Sequence, residues 1–355
     1  MVQDLNSKLE EEPPSIRNFK RLSIGLSFNA KKNNSSKFGD KYAEFDDIKT
    51  IHSIKSAIES AGHQVILLEA NKTFIKKVTR KKIDLVFNIA EGIEGKSRES
   101  HVPSILEMLQ IPYTGSGVLT QALTLDKRRT KEILSYHKIP NAKFQLIDKN
   151  KFILNKNLKF PLIVKPNSEG SSKGITNNSL VQNKKELNKQ VKKILNDYSQ
   201  EALIEEYLPG REFTVGMIGN QKPKVLPIVE INFNHLPPEI HKFDSYEAKW
   251  IYDNPNSNED PLICPAKINK KLKKEIENIC LQTYKILDCL DFCRIDLRLD
   301  CKGKPNIIEV NALPGLIPDP KENSRFPRSC FTQGLTYNQI ILSILDSAIK
   351  RYNLK

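Results

Sequence analysis

The sequence predicts an α/β protein of two or three subdomains. Three observations carry that expectation. Strand and helix signals alternate through the first third of the chain, mixed strand-rich and helical segments follow, and 355 residues exceed what one small core organises. Apolar residues make up 39% and charged residues 28%, the balance of a folded globular chain and not of a disordered one. The longest apolar runs fall far short of a membrane span.

The elements follow in order. Residues 1–19 are polar, hold Glu10, Glu11 and Glu12, and lack the basic and apolar parts of a secretory signal; they are expected to form a flexible lead-in. Residues 21–28 read as a first strand. After a long loop, a helix from about Phe45 places Ile48, Ile51, Ile54, Ala57, Ile58 and Ala61 on one face. Gly62 stops it, and residues 63–68 form a second strand. Residues 83–89 form a buried strand of parallel type. Glu91-Gly92 follow, residues 102–109 are helical, and a further strand ends at Tyr113-Thr114-Gly115-Ser116. This alternation predicts a doubly wound α/β domain over residues 20–116.

Residues 119–138 read as one helix. Short strands are expected at 143–147, 161–165 and 202–207, with an amphipathic helix between the last two carrying Leu187, Val191, Ile194 and Leu195 on one side. Strands return at 212–218 and 224–231. A long helix over 269–290 turns Leu272, Ile276, Ile279, Thr283, Ile286 and Leu287 inward. Two strands, 292–299 and 305–311, precede a loop and a closing helix over 337–352.

A net charge of +14 is compatible with nucleic acid, an anionic membrane surface or anionic small molecules. The lysines lie scattered on solvated helix faces and are not interleaved with aromatics as a single-strand platform requires. The expectation is therefore no nucleic-acid partner and no membrane partner, with a field that favours a phosphate-rich substrate. All six cysteines lie from Cys264 onward, without a C-x-x-C pair or a histidine at finger spacing, as expected of reduced, packed thiols in a cytoplasmic protein.

The segment from Phe160 to Gly174 carries the most chemistry. A short apolar run delivers Lys165 to a strand end, and a loop of small residues follows with Gly170, Ser171, Ser172 and Gly174. Small residues let backbone N–H groups turn toward a polyanion while the lysine neutralises phosphate charge. The order G-x-x-x-x-G-K-[ST] is absent, so this is not a Walker loop. Gly115-Ser116-Gly117 reads as a turn.

Near the C-terminus, alternation along one strand puts Arg294, Asp296 and Arg298 on a common face, and along the next Ile307, Glu309 and Asn311. Asp296, Glu309 and Asn311 are three hard oxygen donors suited to Mg²⁺ beside phosphate, with a solvated salt-bridge cluster as the plainer reading. Lys127 and Lys131 taken alone are helix-surface lysines. Beside the Lys165 loop, Lys127 becomes a second phosphate contact, whereas Lys131 stays a surface residue. The stretch Glu205-Glu206-Tyr207-Leu208-Pro209-Gly210-Arg211-Glu212 reads either as a charged strand and turn or as a hinge whose backbone meets adenine while Glu212 takes ribose hydroxyls.

Taken in order, Asp126-Lys127, Val164-Lys165 through Glu169-Gly170-Ser171-Ser172, Leu203 through Val215, Tyr246 through Lys249, Arg294-Ile295-Asp296 and Glu309 through Gly315 resemble the ATP-grasp superfamily, and more narrowly the D-alanine–D-alanine ligases. The resemblance runs over residues 20–352. It implies an N-terminal α/β domain over 20–118, a central subdomain over 119–210 and a C-terminal subdomain over 211–355, the last two holding ATP between their sheets. It also implies the reaction: one amino acid's carboxylate takes the γ-phosphate of ATP, and the amine of a second displaces it to form a peptide bond. Lys127, Lys165 and Lys249 would hold phosphates, with Glu169, Gly170 and Ser172 in the nucleotide loop, and Glu205, Leu208 and Glu212 the adenosine. Asp296, Glu309 and Asn311 would bind two Mg²⁺ (or Mn²⁺) ions. Arg294 would stabilise the acyl phosphate, Ser171 orient the first substrate, Gly315 help form the oxyanion pocket and Glu44 take the first ammonium. A homodimer is common in that family. Three departures touch substrate choice: Trp250 replaces a tyrosine of a Glu–Ser–Tyr relay, Glu91 replaces a histidine, and residues 316–321 replace the run that grips the second carboxylate. Lys321, Arg325 and Arg328 are candidate substitutes for that grip.

Overall fold

The structure, a computed structural model, describes residues 21–31, 42–253 and 260–354. The expected lead-in over residues 1–19 lies outside them.

The first sheet is parallel. Strand β1 (Ser23–Phe28) lies between β2 (Gln64–Glu69) and β3 (Leu85–Asn88). Helix α1 (Ile48–Ser60) connects the first pair; the Asp47 side chain accepts from Thr50 N–H at its start, and Gly62 follows its end at φ +85°. Helix α2 (Phe74–Thr79), too short for a periodic signal, leads from β2 to β3 on the other side of β1, and α3 (His101–Met108) follows. The expected strand at Tyr113 shrinks to a single parallel bridge with Val86, because Pro112 lacks the N–H that a longer ladder needs.

The helix expected over 119–138 is two: α4 (Val118–Leu125) and α5 (Lys127–Tyr136). Asp126 between them is extended, at φ −82° and ψ 95°, and its side chain accepts from Arg129 N–H. That break turns Lys127, Lys131 and Leu134 onto one buried face of α5. A four-stranded antiparallel sheet follows in the order β4 (Phe144–Ile147), β7 (Ala202–Glu206), β5 (Leu162–Pro166), β6 (Leu180–Val181). Helix α6 (Lys184–Asp197) covers it with Leu187, Val191 and Ile194, each worth about 2 kcal/mol of burial.

The third sheet holds β8 (Glu212–Ile218), β9 (Lys224–Val225), β10 (Val229–Ile231), β11 (Leu262–Ile263), β12 (Phe292–Leu299) and β13 (Pro305–Asn311), with β8 between β10 and β12 and β13 on the far side of β12. Pro227 splits the single strand expected over 224–231. Helix α7 (Lys270–Ile286) covers this sheet through Ile276, Cys280 and Tyr284. Helix α8 (Arg325–Thr332) was not expected from sequence. Finally α9 (Tyr337–Arg351) crosses back to α1, joining Ile340, Ile344 and Ala348 to Ile51, Ile54 and Ile58 in one core.

The strand pair that bears the acidic residues has a register shift. Asp296 lies opposite Glu309 and Arg294 opposite Asn311, but Leu297 lies opposite Ile307. Ile308 is the extra residue of a β-bulge, which corrects the expectation that Ile307 shares a face with Glu309 and Asn311. Ile307 instead joins Leu297 in the core under the sheet.

Candidate active site

Two cavities lie between the sheets. The smaller, about 100 Å³, runs from Ile163, Leu208 and Glu212 to Asp296 and Asn311. The larger, about 310 Å³, runs from Glu44, Glu91 and Glu99 to Gly315 and Arg325. Ser171, Lys249, Arg294, Glu309 and Asn311 line both, so the cavities meet there. Of the residues singled out from sequence, Lys165, Glu169, Ser172, Glu205, Leu208, Glu212 and Asp296 line the smaller cavity, and Glu44, Gly170 and Gly315 the larger.

Lysines and carboxylates meet at and behind the floor, where Lys165, Glu205 and Glu309 line the smaller cavity and Lys127 and Lys131 line neither. Lys127 Nζ is buried 2.6 Å from Glu309 Oε1 and donates to Glu169 O. Burial opposes its charge, yet Glu309, with Glu44 and Glu99 beyond it, outweighs burial and holds the ammonium above the ordinary lysine range. Lys165 and Lys131 both reach Glu205 Oε1, at 3.0 and 3.3 Å. Burial pushes the Glu205 carboxyl upward, but Lys131 and Lys165 together hold it below its usual range. Lys131 is 1% exposed, which corrects its assignment to the surface: four residues after Lys127 on α5, it points the same way. That spacing was the available signal.

Asp296 accepts from Arg294 Nε and Nη2 at 3.0 and 2.9 Å, from Asn311 Nδ2 at 3.0 Å and from Thr214 Oγ1. Burial disfavours its charge, but Arg294, with Arg325 and the Thr214 hydrogen bond, outweighs burial and brings the carboxyl down to about 2. Among the described residues no three His, Cys, Asp or Glu side chains converge as a metal cage. The donor set is two carboxylates and an amide on adjacent strands, with Asp296 firmly ionised. Such a set fits a Mg²⁺ ion that takes its remaining ligands from phosphate and water.

Farther along the smaller cavity, Glu212 pairs with Arg298 at 3.1 Å; burial outweighs this partner and pushes its carboxyl up to about 7. Arg298 also donates to Gly210 O, Tyr207 OH and Lys242 O, so it braces the hinge. Sequence reading gave it no role.

The Gly/Ser loop is held from both sides. Ser171 and Ser172 adopt φ of +49° and +58°, left-handed backbone that non-glycine residues rarely take. Gly170 N–H donates to Glu44 Oε1 at 2.6 Å, and Trp250 Nε1–H donates to Ser171 O at 3.1 Å. Trp250 sits in a single π-helical turn, Glu247–Ile251, with Lys249. Indole offers only a donor where a hydroxyl offers both, so among the described residues Trp250 bonds the loop through the Ser171 carbonyl alone. Glu44 further accepts from Arg98 Nη2 at 2.7 and 2.9 Å and pairs with Lys173 at 3.3 Å. Arg98, buried and bonded to Ser168 O, carried no sequence signal. Glu91 lies on the cavity wall, where burial first and then Glu99 push its carboxyl well upward.

The three candidates for the carboxylate grip separate. Arg325 lines the larger cavity, Arg328 pairs with Asp260, and Lys321 lines neither of these two cavities.

A family model described as D-ala D-ala ligase C-terminus matches residues 133–346. The D-alanine–D-alanine ligase of Carboxydothermus hydrogenoformans is 31% identical over 310 residues, covering 84% of this chain and 92% of that protein. An uncharacterized protein, y4sG, of Sinorhizobium fredii is 34% identical over 89% of this chain and 94% of its own length. Among solved structures, the Bacillus anthracis D-alanine–D-alanine ligase complexed with ATP superposes with a TM-score of 0.71, at 24% identity, over 94% of this chain and 99% of the other. That superposition extends the likeness of fold beyond the matched C-terminal region to the parallel sheet and α1, and with the sequence relatives it leaves one reading: the chain is a divergent member of the D-alanine–D-alanine ligase family, with the ATP-grasp fold.

Proposed function

We propose that the chain is an ADP-forming, ATP-dependent carboxylate–amine ligase that joins D-alanine to D-alanine for peptidoglycan precursor synthesis. The observation that carries this reading is the junction of the two cavities at Ser171, Lys249, Arg294, Glu309 and Asn311. A nucleotide in the smaller cavity would end its phosphates where an amino-acid carboxylate in the larger one begins.

The roles follow from the side chains. Lys127, Lys165 and Lys249 gather and neutralise phosphate charge, and Lys131 shares the Glu205 carboxylate that keeps Lys165 in place. Glu205, Leu208 and Glu212 bound the nucleoside end. Asp296, Glu309 and Asn311 hold Mg²⁺ or Mn²⁺; bound there, the ions supply positive charge to the phosphates. The carboxylate oxygen of the first amino acid attacks the γ-phosphorus and ADP leaves, giving an acyl phosphate. The amine of the second attacks the acyl carbon, loses a proton, and expels inorganic phosphate. Arg294 at the junction faces the charge that builds on both intermediates, and Gly315 offers backbone at the cavity wall. Glu44, engaged by Arg98 and Gly170, orients the loop bearing Ser171 as well as facing the first ammonium.

A second reading keeps the mechanism and changes the acids: Trp250, Glu91 and the 316–321 segment all differ from the family pattern at the amino-acid cavity. ADP release with amino-acid mixtures, followed by mass spectrometry of the product, tests both. D-alanyl-D-alanine supports the first; no dipeptide from D-alanine but a product from another acid supports the second. No helix among the described residues is long and apolar enough to cross a membrane. We further propose a cytoplasmic enzyme that forms a homodimer, the dimer to be checked by light scattering.

A further inference from the structure

Arg325 opens α8 and is 7% exposed, its guanidinium at the wall of the larger cavity. Nη1 donates to Asp244 Oδ2 at 3.0 Å and Nη2 to Asp244 Oδ1, a two-point pair that fixes the plane of the group. A guanidinium has five N–H donors, and among the described residues only these two bonds engage it. Asp244 is anchored on its other side, where its backbone carbonyl accepts from Ser172 Oγ at 3.0 Å. Ser324 Oγ donates to Gly315 O at 3.4 Å, which seats the head of α8 against Pro314-Gly315.

A buried cation with donors to spare, facing a cavity, is complementary to a planar anion. Position selects which anion. Arg325 lines the larger cavity and not the smaller, so nucleotide phosphates are not its natural partner. Arg294, which faces the same space, spends Nε and Nη2 on Asp296 and sits where the cavities meet.

We propose that Arg325, aimed by Asp244, recognises the carboxylate of the second amino acid. This rests on the ligase reading above. Asp244 acts as a positioning residue, since its side chain holds the guanidinium and its carbonyl holds the phosphate loop.

The test uses the full-length enzyme with D-alanine as donor and either D-alanine or D-alaninamide as acceptor, the two products separated by mass. Wild type is expected to favour the free acid on the order of 100-fold in kcat/KM, since the amide keeps the shape but loses the negative charge that a buried guanidinium pairs with. In Arg325→Leu this preference should fall to within a few-fold, with acceptor KM raised at least tenfold and KM for ATP within twofold. Arg325→Lys, the milder variant should the leucine protein fail to fold, should keep part of the preference. Asp244→Asn should raise acceptor KM with a smaller loss of preference. A full acid-over-amide preference in both Arg325 variants overturns the proposal while leaving the ligase reading intact. Absence of ADP release by wild type with any amino acid removes both.

Discussion

Asp296 on β12 lies directly opposite Glu309 on β13, and each carboxylate has its own protein cation, Arg294 for the first and Lys127 for the second. Neutralising partners at 2.9 and 2.6 Å let two acids face one cavity without mutual repulsion expelling either. Glu309→Gln keeps the shape and removes one charge. Turnover of ATP, measured as ADP release, is expected to fall by at least about 100-fold, the scale of losing one preorganised electrostatic contact. Near-normal kcat in that variant contradicts the metal assignment.

Glu205 serves two buried ammonium groups at once. Glu205→Gln leaves both without their anion and is expected to cost about 3–5 kcal/mol, read as a lowered midpoint in denaturant. The sign with pH is fixed by the carboxyl lying below its ordinary value when folded. Its contribution is present above the usual carboxylate range and is lost as pH falls, so wild type loses more stability on acidification than the glutamine variant does. Equal acid sensitivity in the two proteins argues against the shared pair.

Lys249 is pushed down to about 8, by burial first and by the Arg325 charge second. In the free enzyme its positive charge is therefore present below pH 8 and fades above it. Affinity for ATP is expected to weaken as pH rises through that value, and Lys249→Gln should flatten the profile over the same range. Isothermal titration at pH 7 and 9 decides, and an unchanged slope in the variant removes Lys249 from the phosphate contacts.

Trp250→Phe deletes the indole donor to Ser171 O and keeps the ring. The loss should be about 1 kcal/mol, visible as a roughly fivefold rise in the first amino acid's KM with little effect on folding. A rise in KM for ATP alone would instead place the tryptophan with the nucleotide.

Most of the layered architecture was legible because its signals are local. The run 83–89, the stop at Gly62 and the apolar face of α6 each state their own structure. The motif residues were legible as chemistry, since lysine, small residues and paired carboxylates have few joint uses. What escaped depended on partners far away in the chain. Lys131 looks like a surface residue until Glu205 stands 3.3 Å from it. Arg98 has meaning only beside Glu44 and Ser168, and Arg325, named with Lys321 and Arg328, stands apart from them only through its cavity and its Asp244 partner. The break at Asp126 was visible in principle, as a capping side chain in mid-run, but helix-forming residues on both sides of it hid it.

Past the extra residue at Ile308, the spacing of this strand is as consequential as its composition. Deleting that one isoleucine would close the bulge and leave Ile307 and Glu309 consecutive, still on opposite faces by ordinary alternation, whereas deleting Val310 would put Glu309 and Asn311 on opposite faces. A one-codon loss at Val310 should therefore damage the enzyme more than loss of Ile308, because only the former separates the two donors that β13 contributes.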